Sequence, residues 1–88
     1  MTARTVNMMY FAWVRERIGT NQEQLNVPDS VTTGQQLLDW MAGLGDDYAR
    51  ALEHPEIIRI AVNQRHIDNG APLGDASEIA LFPPMTGG

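Results

Sequence analysis

Cysteine and lysine are both missing from these 88 residues. Without cysteine, disulfides, thiolate metal sites and a cysteine nucleophile are excluded. Histidine is scarce: His54 precedes a proline and His66 sits in a short strand-like run. Neither has the spacing of a metal ligand or of a nucleophile and its base, so no metal site is expected. No apolar run approaches the roughly 20 residues that span a bilayer. The opening Met1-Thr2-Ala3-Arg4-Thr5 also lacks the long apolar region of a signal peptide, so the expectation is a cytoplasmic protein without a membrane partner. Six basic residues, all arginine, stand against eleven acidic ones, for a net charge of −5. That balance weighs against nucleic acid as a partner and suits a basic protein surface. Gly43-Leu44-Gly45 has neither the preceding strand nor the lysine or serine of a phosphate loop.

What is present reads as one small domain. Thr5 to Phe11 alternates, with Val6, Met8 and Tyr10 on one side and Asn7, Met9 and Phe11 on the other, as in a strand. A short helix over residues 12–18 should close at Gly19, and a second strand runs from Glu23 to Val27 until Pro28 and Asp29 stop it. The main helix follows. Thr32 or Thr33 can cap it, with Gln35 or Gln36 completing a capping box. Leu37, Leu38, Met41 and Leu44 form its apolar stripe, with Trp40 as edge packing, and Gly43 and Gly45 end it. Asp46 to Glu53 reads as a second helix burying Tyr48, Ala51 and Leu52, which Pro55 forbids from continuing. Ile57 to Val62 is the most β-prone run, Asn63-Gln64 a hairpin turn, Arg65 to Ile67 a return strand, and Glu78 to Phe82 the last strand. This order predicts an α+β fold, a mixed sheet of about five strands with one main and one short helix on one face. Alternation would then turn Met9, Phe11, Ala80 and Phe82 away from the helices. They form either a partner surface or a patch covered by loops or Trp13.

The residues with distinctive chemistry come last. Pro83 and Pro84 fix φ and lack an N–H, so the sheet must end there in an extended path. Met85, Thr86, Gly87 and Gly88 follow, giving a domain over 1–82 and a flexible tail over 83–88. At roughly 3.3 Å per residue such a tail reaches about 20 Å, and two glycines can enter a narrow passage. The expected reactive group is the Gly88 carboxylate, inert until another enzyme activates it. The absence of lysine is then either drift to arginine or the removal of side-chain amines that would attack an activated carboxylate.

Tyr10-Phe11-Ala12-Trp13-Val14-Arg15-Glu16, the helix opened by Thr33, Ala61-Val62-Asn63-Gln64 and above all Leu81-Phe82-Pro83-Pro84-Met85-Thr86-Gly87-Gly88 resemble the small, sulfur-carrying subunits of molybdopterin synthases. The resemblance spans nearly the whole chain and implies the ubiquitin-like β-grasp fold. It also implies a cycle. An E1-like adenylyltransferase (MoeB-like) uses ATP and Mg to adenylate Gly88, and a persulfide donor converts the product to a thiocarboxylate. The tail, Pro83 to Gly87, then enters the large synthase subunit (MoaE-like), where cyclic pyranopterin monophosphate receives the sulfur within a heterotetramer. On this reading the chain binds no cofactor of its own and is no enzyme alone. Met9, Phe11, His66, Ala80 and Phe82 would meet the partner. The rivals are a carrier for thiamine thiazole or tRNA thiolation and a ubiquitin-like binding module without chemistry. Two positions depart from the family: Asp75-Ala76 stands where Asp-Gly is usual, which puts a left-handed turn in doubt, and His66 stands where an apolar residue is frequent.

Overall fold

The computed structural model describes residues 3–84. Its elements run β1 (Ala3–Tyr10), α1 (Ala12–Ile18), β2 (Gln22–Pro28), α2 (Gly34–Ala42), α3 (Asp46–Ala51), a 3₁₀ turn (Pro55–Ile57), β3 (Arg59–Val62), β4 (Arg65–Ile67) and β5 (Glu78–Phe82). The five strands form one sheet in the order β2-β1-β5-β3-β4. Its central pair, β1 with β5, is parallel, and the other neighbours are antiparallel. This is the β-grasp architecture. It sets the first strand beside the last, with Asn7 opposite Glu78 and Tyr10 opposite Leu81.

Alternation decides which side chains enter the core. Val6, Met8 and Tyr10 of β1, Ile79 and Leu81 of β5 and Ile60 of β3 are all buried. Leu37, Leu38 and Met41 of α2 and Val14 and Ile18 of α1 join them in one cluster. The cap of α2 is set by Thr33. Its hydroxyl accepts the Gln36 N–H at 3.2 Å, while Gln36 Oε1 accepts the Thr33 N–H at 3.2 Å and that of Thr32 at 2.7 Å. The Thr33–Gln36 pairing therefore forms the box. Gly34 allows this helix to approach the sheet, because a Cβ there would lie 2.7 Å from Ile60 Cδ1 and 2.9 Å from the Asn69 carbonyl oxygen. Gly19 ends α1 at φ +98°, donating its N–H to Arg15 O at 2.8 Å. Asn63 and Gln64 take φ of +49° and +72°, the paired left-handed conformation of a two-residue hairpin turn.

Several boundaries differ from the sequence expectation for local reasons. Helix α2 tightens at its end, with Gly43 N–H bonded to Trp40 O. The helical period is lost there and Leu44 swings out, 40% exposed. Helix α3 stops at Ala51 rather than Glu53, although Leu52 is buried as expected. Pro55 opens a 3₁₀ turn in which Ile57 and Ile58 donate to the His54 and Pro55 carbonyls. Ile57 and Ile58 are consequently withheld from the sheet, and β3 begins at Arg59. Ala76 is buried and lies outside the positive-φ positions; the left-handed residue of that loop is Gly74, at φ +59°. Val31 and Leu73, in connecting segments, complete the core, and Leu73 N–H donates to Thr32 O at 2.8 Å.

Candidate functional site

The sheet face opposite the helices is built by the strand register. Gln22 lies beside Met9, Met9 beside Ala80, Ala80 beside Ala61 and Ala61 beside His66. One row thus crosses the sheet with two alanines as a low floor between larger side chains. In the adjoining row Phe82 lies opposite Arg59. The His66 ring stacks on Phe82 with centroids 5.1 Å apart and planes 14° from parallel. Phe11 N–H donates to Leu81 O at 3.1 Å, which holds Phe11 at the end of the central pair. Phe11 remains 44% exposed. Trp13 packs against the core cluster and carries the Arg17 guanidinium over its ring at 4.4 Å.

Met9, Phe11, His66, Ala80 and Phe82 therefore share one face, as alternation required. Pro83 and Pro84 leave directly from its Phe82 edge, both partly buried. Met85, Thr86, Gly87 and Gly88 lie outside the described residues. The start of β5 is fixed by Asn63, whose Oδ1 accepts from Ser77 N–H at 3.1 Å, Ser77 Oγ at 3.1 Å and Glu78 N–H at 3.0 Å. The Asn63 N–H donates to Glu78 O at 2.8 Å. This turn residue thus sets the level at which β5 enters the sheet and Phe82-Pro83-Pro84 leaves it. Asparagine suits both tasks, tolerating positive φ and offering a side-chain acceptor.

Two features were not read from the sequence. One is a polar clamp under the helices: Tyr10 and Tyr48 each donate a hydroxyl to Glu23 Oε2 at 2.7 Å. Burial first, and then the bond to Glu23, raise the Tyr10 phenol well above its ordinary range. The same causes in the same order push Tyr48 up to about 12. The other is Arg59. Its outward position followed from Ile58 and Ile60 pointing inward, but that signal went unused. With Ile60, His66, Ile67 and Asp68 it lines a groove of about 440 Å³.

Among the described residues no three His, Cys, Asp or Glu side chains gather as a metal site would need. Among the described residues no helix is long and apolar enough to cross a membrane. His54 is exposed beside Glu53 and Glu56, at 3.8 and 3.7 Å. The described residues can present a surface; a nucleophile paired with a base is not among them.

Comparison with known proteins agrees with this geometry. The ThiS family model matches residues 8–88. The chain belongs to the ThiS family. It is 39% identical over 83 residues to the molybdopterin synthase sulfur carrier subunit of Escherichia coli (strain K12), covering 94% of this chain and 99% of that one. Against the protein of the same name from Mycobacterium tuberculosis it is 34% identical over 84 residues, covering 94% and 96%. Among solved structures, SAMP1 from Haloferax volcanii superposes with a TM-score of 0.69 at 26% identity, covering 97% of this chain and all of that one. The small archaeal modifier protein 1 of Methanosarcina acetivorans shares the fold at a TM-score of 0.66 and 24% identity, with both chains fully covered. In this ThiS-family chain the matched segment runs from the end of β1 through the whole of β5 to the last residue.

Proposed function

We propose that this chain is a sulfur carrier for molybdenum cofactor biosynthesis, the small subunit of a molybdopterin synthase. The observation that carries the reading is the likeness, along almost their entire length, to subunits of that name. In this role the domain is a handle. An E1-like adenylyltransferase using ATP and Mg joins the Gly88 carboxylate to AMP with release of pyrophosphate. The outer sulfur of a persulfide donor displaces the AMP to give an acyl disulfide, and a thiol then cleaves its S–S bond, leaving the thiocarboxylate on Gly88 and a disulfide on the donor. The exchange matters because a carboxylate oxygen is a weak nucleophile, whereas the thiocarboxylate sulfur is polarisable and reacts readily. Pro83 to Gly87 then thread into the large subunit, whose pocket holds cyclic pyranopterin monophosphate. Met9, Phe11, His66, Ala80 and Phe82 dock on that subunit, and their apolar area beside the tail root is what an interface core requires. The chain supplies the sulfur, and the large subunit supplies the pocket in which it is transferred.

Intact-mass measurement tests the reading. Incubation with an E1-like enzyme, ATP, Mg and a sulfur source should add the mass of one oxygen exchanged for sulfur, and deletion of Gly88 should abolish that gain with the fold unchanged. No gain in the unaltered chain overturns the carrier role. Binding to a thiazole synthase in preference to the large synthase subunit would move the protein to another pathway.

A further inference from the structure

The cationic side chains of this acidic protein are unevenly used. Arg4 donates to the Gly74 carbonyl at 3.0 Å, Arg50 lies 3.7 Å from Asp47, and Arg17 covers Trp13. Arg59 and Arg65, by contrast, are exposed, and neither guanidinium has a hydrogen-bond or ion-pair partner among the described residues. Arg59 lies opposite Phe82 at the start of β3, on the face that carries His66 and beside the root of the tail, whereas Arg65 pairs with Val62 at the hairpin end, on the helix side of the sheet. No nearby carboxylate forms an ion pair with Arg59. Asp68 lines the same groove without reaching salt-bridge distance of Arg59, Glu56 is drawn to His54, and Glu78 is at the opposite end of β5 from Phe82.

We infer that the protein docking on the Met9–Phe82 face carries a carboxylate set against Arg59, flanking an apolar recess for Phe82 and Phe11. The inference rests on the proposed function in taking that protein to be the large synthase subunit. Charge decides the matter. A chain of net charge −5 repels an acidic surface from most directions, and the unpaired Arg59 guanidinium offsets that repulsion at the Phe82 end of this face. A free guanidinium offers a planar fork matched to a carboxylate. Stacking on Phe82 holds the His66 ring flat against it, next to the Arg59 position. The pairing fixes register: an apolar saddle floored by Ala61 and Ala80 permits sliding, and a charge pair at its Phe82 corner does not.

The test is calorimetric binding of the whole chain to the large synthase subunit at low and high salt. The unaltered chain should bind several-fold more weakly at high salt. Arg59→Glu should raise Kd about tenfold and Arg59→Gln about threefold. Arg59→Gln should also lose most of the salt dependence while Arg65→Gln, on the other side of the sheet, keeps it, all with unchanged melting temperature because these side chains pair with nothing among the described residues. Reversing one acidic residue on the large subunit to arginine should restore Arg59→Glu. Binding of Arg59→Glu within twofold of the unaltered chain, while Phe82→Asp abolishes it, overturns this inference and leaves the functional reading standing. No binding by the unaltered chain overturns both. Saturable binding of inorganic phosphate, followed by NMR at Arg59 and His66, that competes with the large subunit would make the edge a small-anion site and overturn the assignment of a protein carboxylate.

Discussion

The two faces of the central strand pair are made from the same residues taken alternately, and they have opposite characters. Toward the helices, Met8, Tyr10, Ile79 and Leu81 are all but inaccessible to water; toward the other side, Met9, Ala80 and Phe82 remain partly open. A single step along β5 therefore passes from stability to recognition. Leu81→Ala should break the first alone: removing a fully buried leucine side chain costs about 2–4 kcal/mol, a large share of the about 5–15 kcal/mol that holds a domain together. Phe82→Ala, one residue on, loses a half-open ring and its stack with His66, worth about 1 kcal/mol. Chemical denaturation of the two variants, with binding to the large subunit measured alongside, checks the contrast. Comparable losses of stability would mean that Phe82 belongs to the core.

The clamp at the far end of the inner face gives a second, smaller contrast. Glu23 accepts two phenols at 2.7 Å, whereas the outer face offers neutral amides, Gln22, Gln24 and Asn26, on the same strand β2. Glu23→Gln keeps the shape but replaces a charged acceptor by a neutral one, and should cost about 1–2 kcal/mol. Gln24→Glu, facing water, should change almost nothing. The pH dependence has a definite sign. Folding raises both phenol pKa values above the ordinary 10.0, Tyr48 to about 12. The neutral phenols therefore favour the folded state fully below pH 10, and that contribution is lost as pH rises through about 12. Since the chain has two tyrosines, tyrosinate absorbance should appear together with unfolding in that window. In Glu23→Gln the Tyr48 titration should move back toward 10. Free ionisation of both tyrosines near 10 in a folded chain would show that the clamp does not form.

Much of this was legible in the sequence because the deciding chemistry is local. The alternation of Val6, Met8 and Tyr10, the Thr33–Gln36 box, Gly19 and the Asn63-Gln64 turn each depend on neighbours within a few residues. The outer-face group followed from alternation once the helices were placed. What escaped is tertiary. Nothing near Glu23 in sequence says that Tyr10 and Tyr48 converge on it, and nothing in Val31 or Leu73 says that a connecting segment fills the core. Leu44 fitted the helical stripe until Gly43 tightened the turn. Ile57 and Ile58 read as strand because the run is apolar, but Pro55 imposes a 3₁₀ turn just before it. The Arg59 edge was visible in the pattern, yet its meaning needed β3 to be placed beside Phe82.

The smallest effect lies where the two faces part. Between Phe11, which stays outside, and Val14, which goes in, the chain must turn sharply from β1 into α1, and it does so through Ala12 at φ +55°. Alanine in that region carries about 1–2 kcal/mol of strain between Cβ and the following carbonyl. Glycine removes the strain but adds unfolded-state freedom worth about 0.4–1 kcal/mol. Relief outweighs the added entropy, so Ala12→Gly should stabilise the fold by about 0.5–1 kcal/mol, read as a raised melting temperature. The Phe11 N–H stays bonded to Leu81 O, so the ring keeps its place and binding to the large subunit should be unchanged. A rise in stability accompanied by weaker binding would sharpen the comparison differently: the left-handed alanine would then be holding Phe11 in its projecting position, and strain at the junction of the faces would belong to recognition.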